Sequence, residues 1–205
     1  MIVSKINFCR FPPNTVPLGI NGHFIMSLYE SRATYDGLTK TLTLLFWVLM
    51  IFIDSLLFYL AFTFGYNYIA YLVAFLITFI SIFLLVVPFL FSPRGYEITL
   101  DGVVIRRIFK SFLIPRDAIS SVRRFNWSWR HLRLLGCGGV YGFFGLFSFR
   151  GIGRVWMYVT NRYNLVLIAT KDNTKYLISP ENPDEFVVKL NSFLSKFPSK
   201  SFIAI

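Results

Sequence analysis

The chain has 205 residues, of which 55% are hydrophobic and only 15% charged, and its mean hydropathy is +0.59. Those figures exclude a wholly water-soluble globular protein, and with it the disordered, collagen-like and disulfide-rich classes. The balance of 21 basic against 10 acidic residues, net +11, makes whatever lies outside lipid strongly cationic and directs it toward anionic partners.

At the N-terminus Lys5 and Arg10 are followed by Pro12, Pro13 and Pro17 rather than by a continuous apolar core, so no signal peptide is expected. Residues 1–40 read as an irregular and juxtamembrane segment. Met26 is a candidate alternative start, because the patterned chain begins directly after it. Cys9 and Cys137 have neither a metal-ligand spacing nor a disulfide framework, which fits a reduced intracellular setting and no bound cofactor.

Residues 41–93 contain a single charged side chain, Asp54. A bilayer core of about 30 Å needs roughly 20 helical residues, so this stretch holds two spans rather than one. Gly65-Tyr66-Asn67 interrupts it with residues that leave a helix easily, giving spans of 42–64 and 68–91 and an antiparallel hairpin. Arg32 and Lys40 precede the hairpin, Arg94, Arg106 and Arg107 follow it, and the turn has no Lys or Arg. The excess of positive charge at both ends predicts cytoplasmic termini and a multi-pass protein of the cell's inner membrane.

Asp54 needs an explanation, since a mid-span carboxylate costs at least about 2.5–3.5 kcal/mol on insertion scales. Folding the hairpin about Tyr66 sets Thr78 opposite Asp54, with Ser81 one turn further on. The trio reads as hydrogen-bonded glue, fixing hairpin register or joining protomers; a proton or ion site is the sharper alternative.

Beyond Gly95 the hydrophobic period becomes two. Residues 96–100 and 103–108 form strands about an Asp101-Gly102 turn, residues 112–115 form a third, and residues 119–125 a fourth, which Trp127 and Trp129 extend with an aromatic face. Seven of the 13 glycines then fall between Gly136 and Gly153, interleaved with Tyr141, Phe143, Phe144, Phe147 and Phe149. No Gly-Lys-Ser/Thr ends this segment, so a phosphate loop is rejected. A bulged or looping connection with close aromatic packing is expected instead, or aromatics that dip into the bilayer. Strands at 155–160, 165–170 and 175–178 follow. Asn182, Pro183 and Glu185 then cap a closing helix with the apolar stripe Phe186, Leu190, Phe193, Leu194 and Phe197.

The two-span hairpin, the seven strands, the segment Arg133-x-x-Gly136-x-Gly138-Gly139-x-x-Gly142-x-Phe144-Gly145, Tyr158-x-Thr160-Asn161, Asn164 to Ile168, and Ile178-Ser179-Pro180 before Asn182-Pro183-x-Glu185-Phe186 together resemble the bacterial pleckstrin-homology-like (PH-like) membrane proteins. The resemblance implies an α+β membrane protein: a transmembrane hairpin (41–93), a seven-stranded antiparallel split PH-like barrel with a C-terminal capping helix (94–197), and a short tail (198–205). It implies no particular activity.

Twelve basic residues and only three acidic ones lie between Arg94 and Arg162. Beside an anionic leaflet each basic residue near the surface contributes about 1 kcal/mol. The candidate lipid- or partner-binding residues are Arg106, Arg107 and Lys110 about the second hairpin, and Arg123, Arg124, Trp127, Trp129, Arg130 and Arg133 in the densest run. Arginine and indole suit a headgroup interface. The same run also reads as core tryptophans backed by solvated arginines, or as a surface for a protein partner, whereas nucleic acid is not expected. His23 and His131 are far apart in sequence, and the carboxylates suit turns and a helix start, so an enzyme is not expected. The leading reading is a membrane-anchored binding or scaffold module that engages anionic headgroups or a partner. The alternative is an accessory subunit assembled through its hairpin, as a homo-oligomer or in a larger complex.

Overall fold

The computed structural model describes residues 27–64, 68–128 and 131–196. The 65–67 turn, Met26, Trp129, Arg130, Phe197 and the C-terminal tail lie outside the described residues. The chain opens with strand β1 (Ser27–Arg32) and then forms two long helices, α1 (Gly37–Phe64) and α2 (Tyr68–Phe91). At 1.5 Å per residue the 28 residues of α1 extend about 42 Å. Both helices are long and apolar enough to cross a bilayer.

Helix packing explains why. The two helices bury mainly small residues between them, among them Ala61, Ala74 and Ser81, and add one edge-to-face pair, Phe58 with Phe75 at 5.4 Å. Most large apolar side chains of α1 and α2, Leu44, Phe52, Phe62 and Phe79 among them, are exposed instead. An apolar sleeve of this extent has no counterpart on a soluble monomer.

Nine strands follow: β2 (Pro93–Thr99), β3 (Gly102–Arg107), β4 (Phe112–Pro115), β5 (Ile119–Phe125), β6 (His131–Gly138), β7 (Phe143–Phe149), β8 (Gly153–Val159), β9 (Leu165–Thr170) and β10 (Lys175–Ile178), with helix α3 (Pro183–Lys196) last. They form two open sheets, ordered β1-β2-β3-β4 and β5-β9-β10-β8-β7-β6. β8 and β10 run parallel, and every other neighbouring pair is antiparallel.

This corrects the expected seven-stranded antiparallel split barrel in three respects. β1 comes from the segment expected to be irregular, and it pairs with β2 across the whole intervening hairpin. The glycine-rich segment is not a connection but belongs to the hairpin β6–β7 at one edge of the second sheet, whose register shift lies between Arg133 and Leu135, just before the glycines begin. β10 inserts between β8 and β9, which makes one pair parallel. The aromatic extension of β5 is also absent: the strand ends at Phe125, and Trp127 leaves the ladder.

One core unites the sheets. Tyr96, Ile98, Val103, Ile105 and Ile114 of the first pack with Val122, Val166, Ile168 and Ile178 of the second, and Phe186, Leu190 and Phe193 of α3 close the cluster. Full burial of each such side chain contributes about 1.5–3 kcal/mol. The opposite face of the second sheet buries a further set, including Phe143, Phe147, Val155, Met157, Leu165, Leu167 and Leu177. Trp127 contacts Phe143 and Phe149 of β7, four positions from β5 in the strand order, so this sheet curls around its second core.

Candidate functional site at the base of the hairpin

Residues 33–36 link β1 to α1, and they are fastened to the sheets at every step. The Ala33 N–H donates to the Arg94 carbonyl at 3.1 Å, the Thr160 hydroxyl donates to the Thr34 carbonyl at 2.8 Å, and the Asn161 amide reaches the Thr34 hydroxyl at 3.2 Å. Ser179 Oγ accepts from the Thr160 N–H at 2.9 Å and lies 3.1 Å from the Tyr96 hydroxyl. Burial pushes the Tyr96 phenol up to about 12, so it stays protonated and donates to the Tyr158 carbonyl at 2.7 Å. The Tyr158-x-Thr160-Asn161 and Ile178-Ser179-Pro180 motifs are therefore clamps on the chain entering α1.

Asp36 completes the clamp. One carboxyl oxygen accepts the Thr39 N–H at 2.7 Å and so caps α1; the other accepts Arg162 Nε at 2.5 Å. Both side chains are almost wholly buried. Burial alone would raise the Asp36 carboxyl, but the hydrogen bonds from Arg162 and Thr39 together outweigh it and hold the group below its ordinary range.

On the other side of the helices the β6–β7 turn reaches α1. Tyr141 has a left-handed backbone, φ 56°, and its N–H donates to Thr43 Oγ1 at 2.9 Å. The Trp47 indole donates to the Tyr141 hydroxyl at 2.6 Å, while Ser92 Oγ donates to the Tyr141 carbonyl at 2.7 Å and lies 3.1 Å from the Tyr35 hydroxyl. Phe89 packs edge-on against the Tyr141 ring at 5.4 Å. Gly139 suits this turn because its backbone lies at φ 112°, a conformation that side-chain-bearing residues rarely adopt. Between these groups is an open cleft of about 370 Å³, lined by Tyr35, Lys40, Thr43, Leu44, Trp47, Phe89, Arg94 and Tyr141. The Arg94 guanidinium lies over the Phe89 ring at 4.4 Å.

The residues singled out from the sequence are dispersed. Arg106 forms an ion pair with the buried Glu97 and lies 3.4 Å from Glu30. Burial raises the Glu97 carboxyl, Arg106 opposing and Glu30 adding to the rise. Arg107 Nε donates to the Lys110 carbonyl at 2.7 Å, and its guanidinium lies 5.5 Å from the Tyr158 ring centre. Lys110 is exposed in the β3–β4 turn. That turn packs on the end of α2, with the Phe109 N–H on the Leu90 carbonyl at 3.2 Å and the Phe109 ring 5.2 Å from Phe91. Arg123 is exposed on β5, Arg124 pairs with Asp184 of α3 at 2.7 Å, and Arg133 is exposed on the edge strand β6. Trp127 belongs to the second core, as the alternative reading of that run has it. In the hairpin Ser81 donates to Asp54 at 3.1 Å, whereas the buried Thr78 hydroxyl has no hydrogen-bond partner among the described residues. Facing residues are thus set three further along α2 than in a hairpin symmetric about Tyr66.

Sequence reasoning passed over Asp36, Arg162 and the cleft itself. With the first span started at residue 42, the Asp36-Gly37-x-Thr39 cap lay outside the expected helix. Lys40 and Arg94 counted only as flanking charge, although the cleft brings them together.

Residues 94–194 match the model of a family described as the bacterial PH domain. No curated protein and no solved structure matches the chain. The match leaves out β1, which completes the first sheet, and both long helices, which supply most of the cleft's lining; Arg94 and Tyr141 of the cleft lie inside it.

Proposed function

Since residues 94–194 match the bacterial PH domain family and two helices able to span a bilayer precede them, we propose that this chain is a non-enzymatic binding module anchored in the inner membrane by its hairpin. Both termini and the PH domain lie on the cytoplasmic side, where the domain engages anionic lipid headgroups. One observation carries the reading. The β3–β4 turn packs on the end of α2, so Arg107, Lys110 and the exposed Phe109 stand at the level where the apolar sleeve stops. Cations and an aromatic ring at that level suit a phosphate-rich interface.

The test is the lipid composition around the full chain purified in mild detergent, compared with that of the source membrane. Enrichment of anionic lipids is expected, reduced by salt and by the double substitution R107Q/K110Q. Unenriched lipid together with a sharp, large species on native electrophoresis, carrying other proteins in fixed ratio, would overturn this reading in favour of an accessory subunit.

A further inference from the structure

We propose that the cleft at the hairpin base holds one anionic phospholipid, its phosphate between Lys40 and Arg94 and its glycerol and acyl portions against Leu44, Trp47 and Phe89. The inference rests on the membrane reading of α1 and α2, and adds to it a single built site distinct from the Arg107 and Lys110 turn.

Charge and hydrogen-bond accounting define the ligand. The eight lining residues include two cations and no acid. Neither Lys40 nor Arg94 forms an ion pair or a side-chain hydrogen bond among the described residues. The Arg94 guanidinium carbon lies 4.4 Å over the Phe89 ring centre, and a guanidinium with no carboxylate partner among the described residues is the group that takes phosphate through two parallel bonds.

The hydroxyls sort themselves by proton count. Ser92 spends its one proton on the Tyr141 carbonyl, so in the contact between Tyr35 and Ser92 the Tyr35 hydroxyl is the donor, and its oxygen is left as an acceptor. The Tyr141 hydroxyl accepts a hydrogen bond from the Trp47 indole N–H and keeps its own proton to donate. The cleft therefore offers an ammonium, a guanidinium and a phenol as donors, and one phenol oxygen as acceptor. That set matches a phosphodiester whose headgroup carries a hydroxyl. Apolar walls opening at the foot of two apolar helices favour a lipid over a free anion, and about 370 Å³ accommodates a headgroup with the start of its chains.

Native mass spectrometry of the full chain released from micelles tests the site, using phosphatidylglycerol, phosphatidylcholine and inorganic phosphate as probes. The expected result is one phosphatidylglycerol retained after looser lipids are stripped, with phosphatidylcholine at least about tenfold weaker, since charge-assisted bonds are lost. K40Q/R94Q is expected to lower its occupancy about tenfold or more, and R150Q/R154Q, two exposed arginines outside the cleft lining, to leave it unchanged. Leu44→Trp, which fills the apolar wall and keeps both charges, is expected to lower it as well, and serves if the double variant fails to fold. Equal retention of the two lipids, wild-type retention by folded K40Q/R94Q, or displacement by millimolar inorganic phosphate would each overturn the proposal. Enrichment of bulk anionic lipid, read in the separate composition experiment, can survive any of these results, so the failure of the site and the failure of the broader function are distinguishable.

Discussion

Asp36 and Arg162, 126 residues apart, meet at 2.5 Å in a buried ion pair that also caps the first long helix. This single contact couples the orientation of the hairpin to the β8–β9 connection of the PH domain. Any headgroup bound at the cleft is therefore held by a unit made of hairpin and domain together.

Removing one partner of a buried pair leaves the other charge uncompensated. Asp36→Asn, which keeps an acceptor for the cap, is expected to cost about 3–5 kcal/mol at pH 7, measured by thermal or denaturant unfolding in detergent. A loss under about 1 kcal/mol would show that the pair does not couple the two parts.

Acid behaviour separates two buried carboxyls. The Asp36 carboxyl lies below its ordinary value of 3.8 in the folded chain, so its contribution is present above pH 3.8 and is lost as pH falls through the lower folded value. Glu97 lies above its ordinary 4.5, so its contribution is present below pH 4.5 and is lost as pH rises through the folded value. The deficit of Asp36→Asn relative to wild type should therefore shrink as pH falls below 3.8, while that of Glu97→Gln should shrink as pH rises past 4.5. Parallel profiles for the two variants would contradict the assignment.

Gly136 and Gly145 face each other across β6 and β7 with φ of 123° and 122°, and a Cβ on either would lie 2.2 Å from a carbonyl oxygen of the facing strand. Alanine at either position is expected to destabilise the chain by at least about 1–3 kcal/mol and to loosen the turn that carries Tyr141. Gly151→Ala has open space and only an unfavourable φ of 100°, so its cost should be the smaller. Equal midpoints for all three variants would contradict the close strand approach.

In the hairpin, Ser81→Ala removes the bond to Asp54 and is expected to cost about 0.6 kcal/mol, whereas Thr78→Val removes an unpartnered buried hydroxyl and should be neutral or stabilising. Unfolding of the reconstituted chain reads the difference. A larger loss from Thr78→Val would restore the register expected from symmetric folding.

The sequence was most legible where periodicity is local. The two apolar helices end at Phe64, restart at Tyr68 and stop at Phe91 as the Gly65-Tyr66-Asn67 interruption and charge pattern indicate, and the strip Phe186, Leu190, Phe193 is the buried face of α3. It was least legible where partners are remote. β1 has no local partner, because β2 follows only after both long helices. Glycines at left-handed positions in β6 and β7 erase the alternation by which a strand is recognised, although they allow these two strands to approach. The cleft draws on three separate segments, at 35–47, 89–94 and 141, and no spacing rule joins them. The arginine-tryptophan run was legible as composition only, since its described members divide between an α3 ion pair, a buried aromatic cluster and an exposed sheet edge.

The central claim is that the hairpin crosses the bilayer and leaves the PH domain on the cytoplasmic side. Single cysteines introduced as N67C and K110C, in a chain with Cys9 and Cys137 replaced by serine, test it through labelling with a membrane-impermeant maleimide. The expected result is that N67C reacts in intact cells and K110C reacts only after the inner membrane is permeabilised. Labelling of K110C from outside intact cells, or release of the whole chain from membranes by alkaline carbonate, would contradict the claim.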